Sequence, residues 1–595
     1  MRQVEKVCFV LLLTVSLAFG QGATGTRAST SKKTTPSVSS RLEQMEKAIA
    51  AQQQQIFQLQ EQLKSRDSQV QQLQQELGQT QSSISRAQQA AADAAAAKGV
   101  QPEQLDAVKR DMSDLKNTAT NSALALQETE KNVKDLESPL AIHFKGITLT
   151  PGGFLAAETV YRNRALAADI NTPFNSVNMP GAGQNALSEF YGSGRQSRIS
   201  LLGEGTVKDI KLSGYYESDF LSAAVTSNNN QSNSYSMRQR QLWGQAALKN
   251  GWSFTGGQMW GLVTETKKGA DNRTEALPMT IDAQYTIGFT WARQYGFRVA
   301  KNFNNHVWLA ASLENPQTTF AARGNTSNFA LGGPGNGGGL YNTTANYSFN
   351  AIPDFIVKAA FEPGFGHYEV FGVLSRFRDR VYPCAEPPAN VNLCNGGVSS
   401  TQGAFNDSKN GGGIGANARV TFFNQLDFGL HFFGGNGVGR YGTGGLPDAT
   451  VHPDGTLALL RSYQGLATIE WHVPRFDVYM NAGEEAVGRN WQMDPVSNKP
   501  VGYGSQLFNT TGCYAETLPG NTGFAFGGLT NCNADTRNLI EGTFGFWVRL
   551  YNGPKGKLQL GPQYSYVTRN TWQGTGGTPH GVDNLVLTSF RYYLP

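Results

Sequence analysis

The sequence predicts an all-β transmembrane antiparallel barrel of about sixteen strands behind an N-terminal α-helical coiled coil. Three observations carry that reading. From about Phe144 to the end, amphipathic alternating stretches such as Tyr235 to Lys249, Trp252 to Thr264 and Leu558 to Thr568 are punctuated by Gly, Asn and Pro. No apolar stretch there is long enough for a membrane helix, and the only other way to satisfy every backbone polar group in lipid is a closed sheet. An export signal precedes the strands, which points to the outer membrane of a cell envelope.

The signal divides in the usual way. Arg2 and Lys6 flank its start, an apolar core runs from Val7 to Leu17, and Ala18 and Gly20 supply small residues before Gln21, so cleavage is expected after residue 20. The core is too short and its polar flank too close for a retained anchor helix.

A Ser/Thr/Lys-rich leader, residues 21–40, follows as a disordered spacer. Residues 41–137 then carry a seven-residue apolar repeat at Leu42, Ile49, Ile56, Leu63, Val70, Leu77 and Ile84, with Met45, Leu59 and Leu73 on the second seam. The register resumes at Leu105, Met112, Ala119, Leu126 and Val133 after a break at Gly99 and Pro102. Such a seam is a coiled coil that must find partners, and mixed Ile, Leu and Val favour a homotrimer over a strict dimer. Ser138 and Pro139 end the helix, and residues 140–595 form the barrel domain.

Strands of about 9 to 11 residues, short turns and several long loops divide that domain into about sixteen strands, with fourteen or eighteen also fitting. Long Gly/Asn-rich loops are expected at Asn175 to Gly194, Phe320 to Tyr341, Pro383 to Asn410, Gly442 to Thr456 and Asp494 to Asn533. Cys8 leaves with the signal. The other four cysteines allow three connectivities, of which local pairing, Cys384 with Cys394 and Cys513 with Cys532, closes the shortest loops and is expected to brace loop tips in an oxidising compartment; no Cys-x-x-Cys spacing or clustered His suggests a metal, and no cofactor is expected. In the last strand, Val586, Thr588, Phe590, Tyr592 and Leu594 should meet lipid while Arg591 faces the lumen. Trp243, Trp252, Trp260, Trp291, Trp308, Trp547 and Trp572 are candidates for interfacial girdles.

The net charge of +5 over 595 residues is too diffuse for a nucleic-acid partner. Local placement is more telling. Residues two apart share a face, and a charge facing lipid near midplane costs roughly 2 to 4 kcal/mol, so charge ladders should point inward. Arg238 and Arg240 on one strand, and Arg376, Arg378 and Arg380 on another, are therefore expected to line the pore, whereas Arg195 and Arg198 differ in parity. Glu217 and Asp219 are the acids that could hold the arginines in place. Clustered guanidinium groups match carboxylate and phosphate geometry and would favour small anions.

The run Gly214-Tyr-Tyr-Glu-Ser-Asp-Phe220, then Arg238-Gln-Arg-Gln-Leu-Trp-Gly244, then Gly257-Gln-Met-Trp-Gly261, after a coiled-coil leader, resembles the DcaP-like trimeric porins. The resemblance covers the leader and early barrel best. It implies a sixteen-stranded trimeric barrel, a periplasmic coiled coil and an Arg-lined constriction for small anionic solutes such as dicarboxylates. Glu217, Asp219, Arg238 and Arg240 carry over to its motif positions; Gln241 to Trp243, and Gly261, depart from its pattern.

Rival functions are weaker. The seven histidines include none in a Gly-x-Ser-x-Gly or comparable setting, so a hydrolase lacks its chemistry. A barrel-anchored adhesin, or an envelope tether whose leader touches peptidoglycan through Lys32 and Lys33, is the alternative; a dominant barrel that follows the coil favours the porin.

Overall fold

The computed structural model describes residues 141–222, 235–324, 328–331, 349–385, 394, 398–520 and 525–595, with two isolated helical positions, Ser82 and Gln89. The chain divides into two units, Met1–Ser138 and Pro139–Pro595. Apart from those two positions, the expected signal peptide, leader and coiled coil lie outside the described residues.

The second unit is a closed barrel whose wall is built, among the described residues, from sixteen strands. They are β1 (Ile147–Arg162), β2 (Arg198–Val207), β3 (Ile210–Asp219), β4 (Arg238–Leu248), β5 (Trp252–Trp260), β6 (Arg293–Phe303), β7 (Val307–Glu314) and β8 (Asp354–Phe361). The second half comprises β9 (His367–Val381), β10 (Phe405–Phe422), β11 (Leu426–Asn436), β12 (Arg461–His472), β13 (Phe476–Val487), β14 (Thr536–Gly553), β15 (Gly556–Thr571) and β16 (His580–Tyr593). Each pairs antiparallel with its sequence neighbours, and β1 closes the ring on β16 from Phe154↔Tyr593 to Arg162↔Leu585. On its other edge β1 pairs with β2 and with a short strand, Glu189–Ser193.

One end of the barrel has tight turns, several built on left-handed residues such as Lys208, Asn304, Asn305 and Asn424. Asn tolerates that conformation well. The other end carries the long connections. The expected loop from Pro383 to Asn410 is shorter than the sequence suggests, because Phe405 to Asn410 already belong to β10. Both cystines form as expected: Cys384–Cys394 and Cys513–Cys532.

Alternation sets inside from outside. On β16, Asp583, Leu585, Leu587, Ser589 and Arg591 are buried inward while Val586 and Phe590 face out, as the sequence pattern requires. Outward residues such as Phe297, Ile414 and Leu430 make an apolar belt that only lipid or a second apolar surface can cover.

The interior differs from a simple wet lumen. Val160, Tyr479, Leu539, Val567, Leu585 and Leu587 of the wall pack on Ile170, Phe174, Ile281, Ile287 and Leu446 of connections folded into the barrel. Inward apolar side chains are stable there because the loops cover them.

The same infolding corrects the proposed tryptophan girdles. Trp243, Trp260, Trp308 and Trp547 are buried, and Trp291 packs edge-on against Trp260 and Tyr285. Of the seven named, Trp252 is the one that is strongly exposed, and the outward aromatics are mainly Phe and Tyr. Trp243 changes face because a bulge opposite Glu217/Ser218 inserts one residue, so that Arg240 and Gln241 both turn inward.

Leu430 lies midway along β11 on the outer face. Leu430→Arg is expected to lower barrel stability by about 2 to 4 kcal/mol, the cost of a guanidinium facing midplane lipid. Denaturant titration of the protein refolded into vesicles measures this.

Candidate pore constriction

The connection between β5 and β6, residues 261–292, crosses the barrel interior. A wall strand spends its backbone on its neighbours, so the loop's own N–H groups need side-chain acceptors. Inward carboxylates supply them. Glu314 accepts from Leu262 N at 2.7 Å, Glu369 from Thr266 N at 3.0 Å, Glu541 from Ile287 N at 2.8 Å and Glu485 from Gly288 N at 2.9 Å. Gln563 accepts from Ile281 N at 2.5 Å. Loop carbonyls are taken by Lys358 (Thr264 O, 2.7 Å), Trp547 (Met279 O, 2.9 Å) and Gln196 (Ile281 O, 2.5 Å).

Contact is close enough to require glycine on both sides. Gly288 has φ +88°, and a Cβ on Gly483 would stand 1.8 Å from the Ile287 carbonyl oxygen. Within the loop, burial pushes the Asp282 carboxyl upward against the hydrogen bonds it accepts from Thr172 and Gln284.

Beside this loop the structure gathers four of the seven sequence-predicted pore residues. Arg238 grips Asp219 with two bonds, Nε to Oδ1 at 3.0 Å and Nη2 to Oδ2 at 2.8 Å. Arg240 bridges both acids, at 2.6 Å to Glu217 Oε1 and 2.7 Å to Asp219 Oδ2, and reaches the Tyr285 hydroxyl of the loop at 3.4 Å. Tyr215 donates to the other Glu217 oxygen at 3.0 Å.

Two further arginines join them. Arg198 stands 3.6 Å from Glu217, on the same inward face of β2 as Leu202. Arg293 lies over the rings of Trp260 and Trp291 at 5.0 and 5.7 Å. The parity argument compared Arg195 with Arg198, but Arg195 lies in the turn before β2, where strand alternation does not apply, and pairs with Asp169 at 3.0 Å. It did not assign Arg198 to the pore, and Arg293 lies beyond any alternating pair.

Arg376, Arg378 and Arg380 are not brought to this site. On β9 the inward set is His367, Glu369, Phe371, Val373, Ser375, Phe377, Asp379 and Val381, so the three arginines share the outer face with Val370 and Leu374. Arg380 bonds Asn406 at 3.0 Å on the neighbouring strand. They stand near the loop end of the strand, where the cost of an outward charge falls to about 0 to 1 kcal/mol, so the lipid penalty used to place them inside does not apply.

Two cavities flank the loop. One of about 260 Å³ is lined by Arg198, Arg240, Lys557 and Arg591, with Asp282 and Asp477 as its acids. The other, about 320 Å³, includes Arg293 and Arg440 together with Glu314 and Asp354. Arg591 is held by Glu158 at 2.7 Å and sits against the Phe154 and Trp547 rings. The lining of the first cavity thus has four cationic side chains to two acids, with Arg240 and Arg591 paired to carboxylates set behind it.

A sixteen-stranded antiparallel barrel with an infolded loop beside a paired arginine–carboxylate cluster defines a porin-type channel fold. Among solved structures, the outer membrane channel DcaP of Acinetobacter baumannii matches with a TM-score of 0.51 and 14% identity, over 76% of this chain and 99% of that one. Pseudomonas putida OprB (TM-score 0.37, 11% identity, 75% and 94% covered) and an anion-selective porin from Comamonas acidovorans (0.37, 9%, 75% and 100%) also match. The DcaP resemblance read from the motifs thus holds at the level of the fold. No protein-family model and no curated protein matches the chain.

Replacing Glu485 and Glu541 together with alanine leaves the Gly288, Gly444 and Ile287 N–H groups without acceptors, about 1 to 3 kcal/mol for each. The loop is expected to leave the wall, raising unitary conductance in planar bilayers while the barrel stays inserted.

Proposed function

We propose that the chain is an outer-membrane porin that passes small anionic solutes, dicarboxylates among them, by passive diffusion. The observation that carries this reading is the cavity lined by Arg198, Arg240, Lys557 and Arg591 against only two acids, Asp282 and Asp477, among its described lining residues. Guanidinium groups are charged at every physiological pH, and their planar forks suit carboxylates. Glu217 and Asp219 hold Arg238 and Arg240 in place. Field lines in a narrow polar lumen concentrate small anions at such a site.

The apolar outer belt supports an outer-membrane position, with the short turns toward the periplasm and the long loops outside. The heptad seam before the barrel supports a homotrimer with its coil in the periplasm. The basic leader contact with peptidoglycan is secondary in this reading, since a solvated spacer serves equally well.

Arg238→Ala with Arg240→Ala is expected to cut the anion-to-cation permeability ratio severalfold, because Asp219 loses both its arginines and Glu217 keeps only Arg198 at 3.6 Å, which turns the local field negative. Reversal potential across a salt gradient measures it, and an unchanged ratio rejects the assignment. Deleting residues 42–84 is expected to loosen the oligomer yet spare membrane insertion, as read by cross-linking and by heat-modifiable gel mobility.

A further inference from the structure

Metal-ligating side chains gather at the turn end of the barrel, on the inward face of three adjacent strands, and one of them, Asp477, also lines the arginine-rich cavity. Asp427 lies at the start of β11, Glu470 and His472 at the end of β12, and Asp477 at the start of β13. Strand register sets Asp427 opposite Glu470 and His472 opposite Asp477. Pairing therefore brings the four together without help from a loop.

The histidine is oriented. Its Nδ1 lies 2.7 Å from Asp477 Oδ1, and a carboxylate only accepts, so Nδ1 carries the proton. Nε2 then points between Asp427 Oδ2 and Glu470 Oε2, 3.5 Å from each. That spacing is long for a hydrogen bond, whose N···O distances run about 2.7 to 3.2 Å. It suits neighbouring ligands of one ion: two atoms about 2.1 Å from a tetrahedral zinc stand roughly 3.4 Å apart.

The carboxylates are prepared as well. Thr421 donates to Asp427 Oδ1 at 2.6 Å, which fixes that group and leaves Oδ2 toward the histidine. Glu470 is more than nine-tenths buried and aimed into the group, and its nearest cationic atoms are His472 Nε2 at 3.5 Å and Arg419 Nη1 at 3.8 Å. Arg419 is itself engaged by Glu265, at 3.1 and 3.3 Å. Arg549 pairs with Asp477 and His431 stands 3.3 Å from Glu265, which completes the charged surroundings.

We propose that Asp427, Glu470 and His472 bind a divalent transition cation of the zinc type at the turn-side mouth of the lumen. Asp477 acts as a positioning residue that presents the imidazole, the usual partner of a metal-bound histidine. One or more waters complete the shell, since His472 and Asp427 remain partly exposed. The ion would place positive charge beside the arginine-lined cavity, whose lining includes Asp477.

Titrating chelator-treated full-length protein with zinc chloride by calorimetry tests this. One zinc per chain is expected. His472→Ala and Asp427→Asn should each weaken binding at least tenfold, and Asp477→Asn by about 10- to 100-fold. His306→Ala, at another turn, should leave it unchanged. Zinc-edge absorption of the loaded wild type should show one nitrogen among oxygen ligands. Absence of saturable binding, binding indifferent to His472→Ala, or a shell of water alone overturns the proposal; the first result would make the group a protonated imidazole held among carboxylates. None of these readouts depends on which ions the channel conducts.

Discussion

Everything in this barrel follows from the requirement that a chain in lipid leave no backbone polar group unpaired. β1 meets it by pairing on both edges, with β16 on one side and with β2 and Glu189–Ser193 on the other. Once the ring is closed, each strand has one face for the lumen and one for the membrane, and the parity of a single residue decides the environment of all its neighbours. The placement of Arg591 inside and Phe590 outside is one consequence; the placement of Phe377 inside and Arg378 outside is another.

Closure also dictates how the lumen can be narrowed. The wall has spent its N–H and C=O groups, so a segment crossing the interior is held to the wall by inward side chains, and by backbone bonds only to other connections, as Trp291 N is to Tyr441 O. Residues 261–292 are accordingly tied to Glu314, Glu369, Glu485 and Glu541 through their N–H groups and to Lys358, Trp547 and Gln196 through their carbonyls. The carboxylates come from β7, β9, β13 and β14. Anchors spread over so much of the wall hold the loop as a strut.

Where local rules govern, the sequence was legible. The strand number, the last strand's two faces, both cystines and the Glu217–Asp219–Arg238–Arg240 group follow from alternation, residue spacing and a motif. Three failures each have a physical cause. The loop at 261–292 was missed because its residues 277–289 are about as apolar as a strand, being buried in the interior. Trp243 changed face through a one-residue bulge that no spacing argument detects. The arginine ladder at 376–380 was placed inside by a lipid penalty that depends on depth, and depth along a strand is not written in its alternation.

The constriction owes its character to the way these levels meet. Arg238 and Arg240 are consumed by Glu217 and Asp219, so the pair alone would be close to neutral. Two arginines have weaker partners: Arg198 at 3.6 Å from an already occupied Glu217, and Arg293 set on tryptophan faces. Those faces, Trp260 at the end of β5 and Trp291 at the end of the loop, are held with Tyr285 by tilted and edge-on ring packing. Tyr285 in turn meets Arg240. Loop docking and charge placement are therefore one arrangement: the carboxylates that anchor the strut also fix the rings against which the guanidinium groups lie, so these side chains are held in place by the folded loop itself.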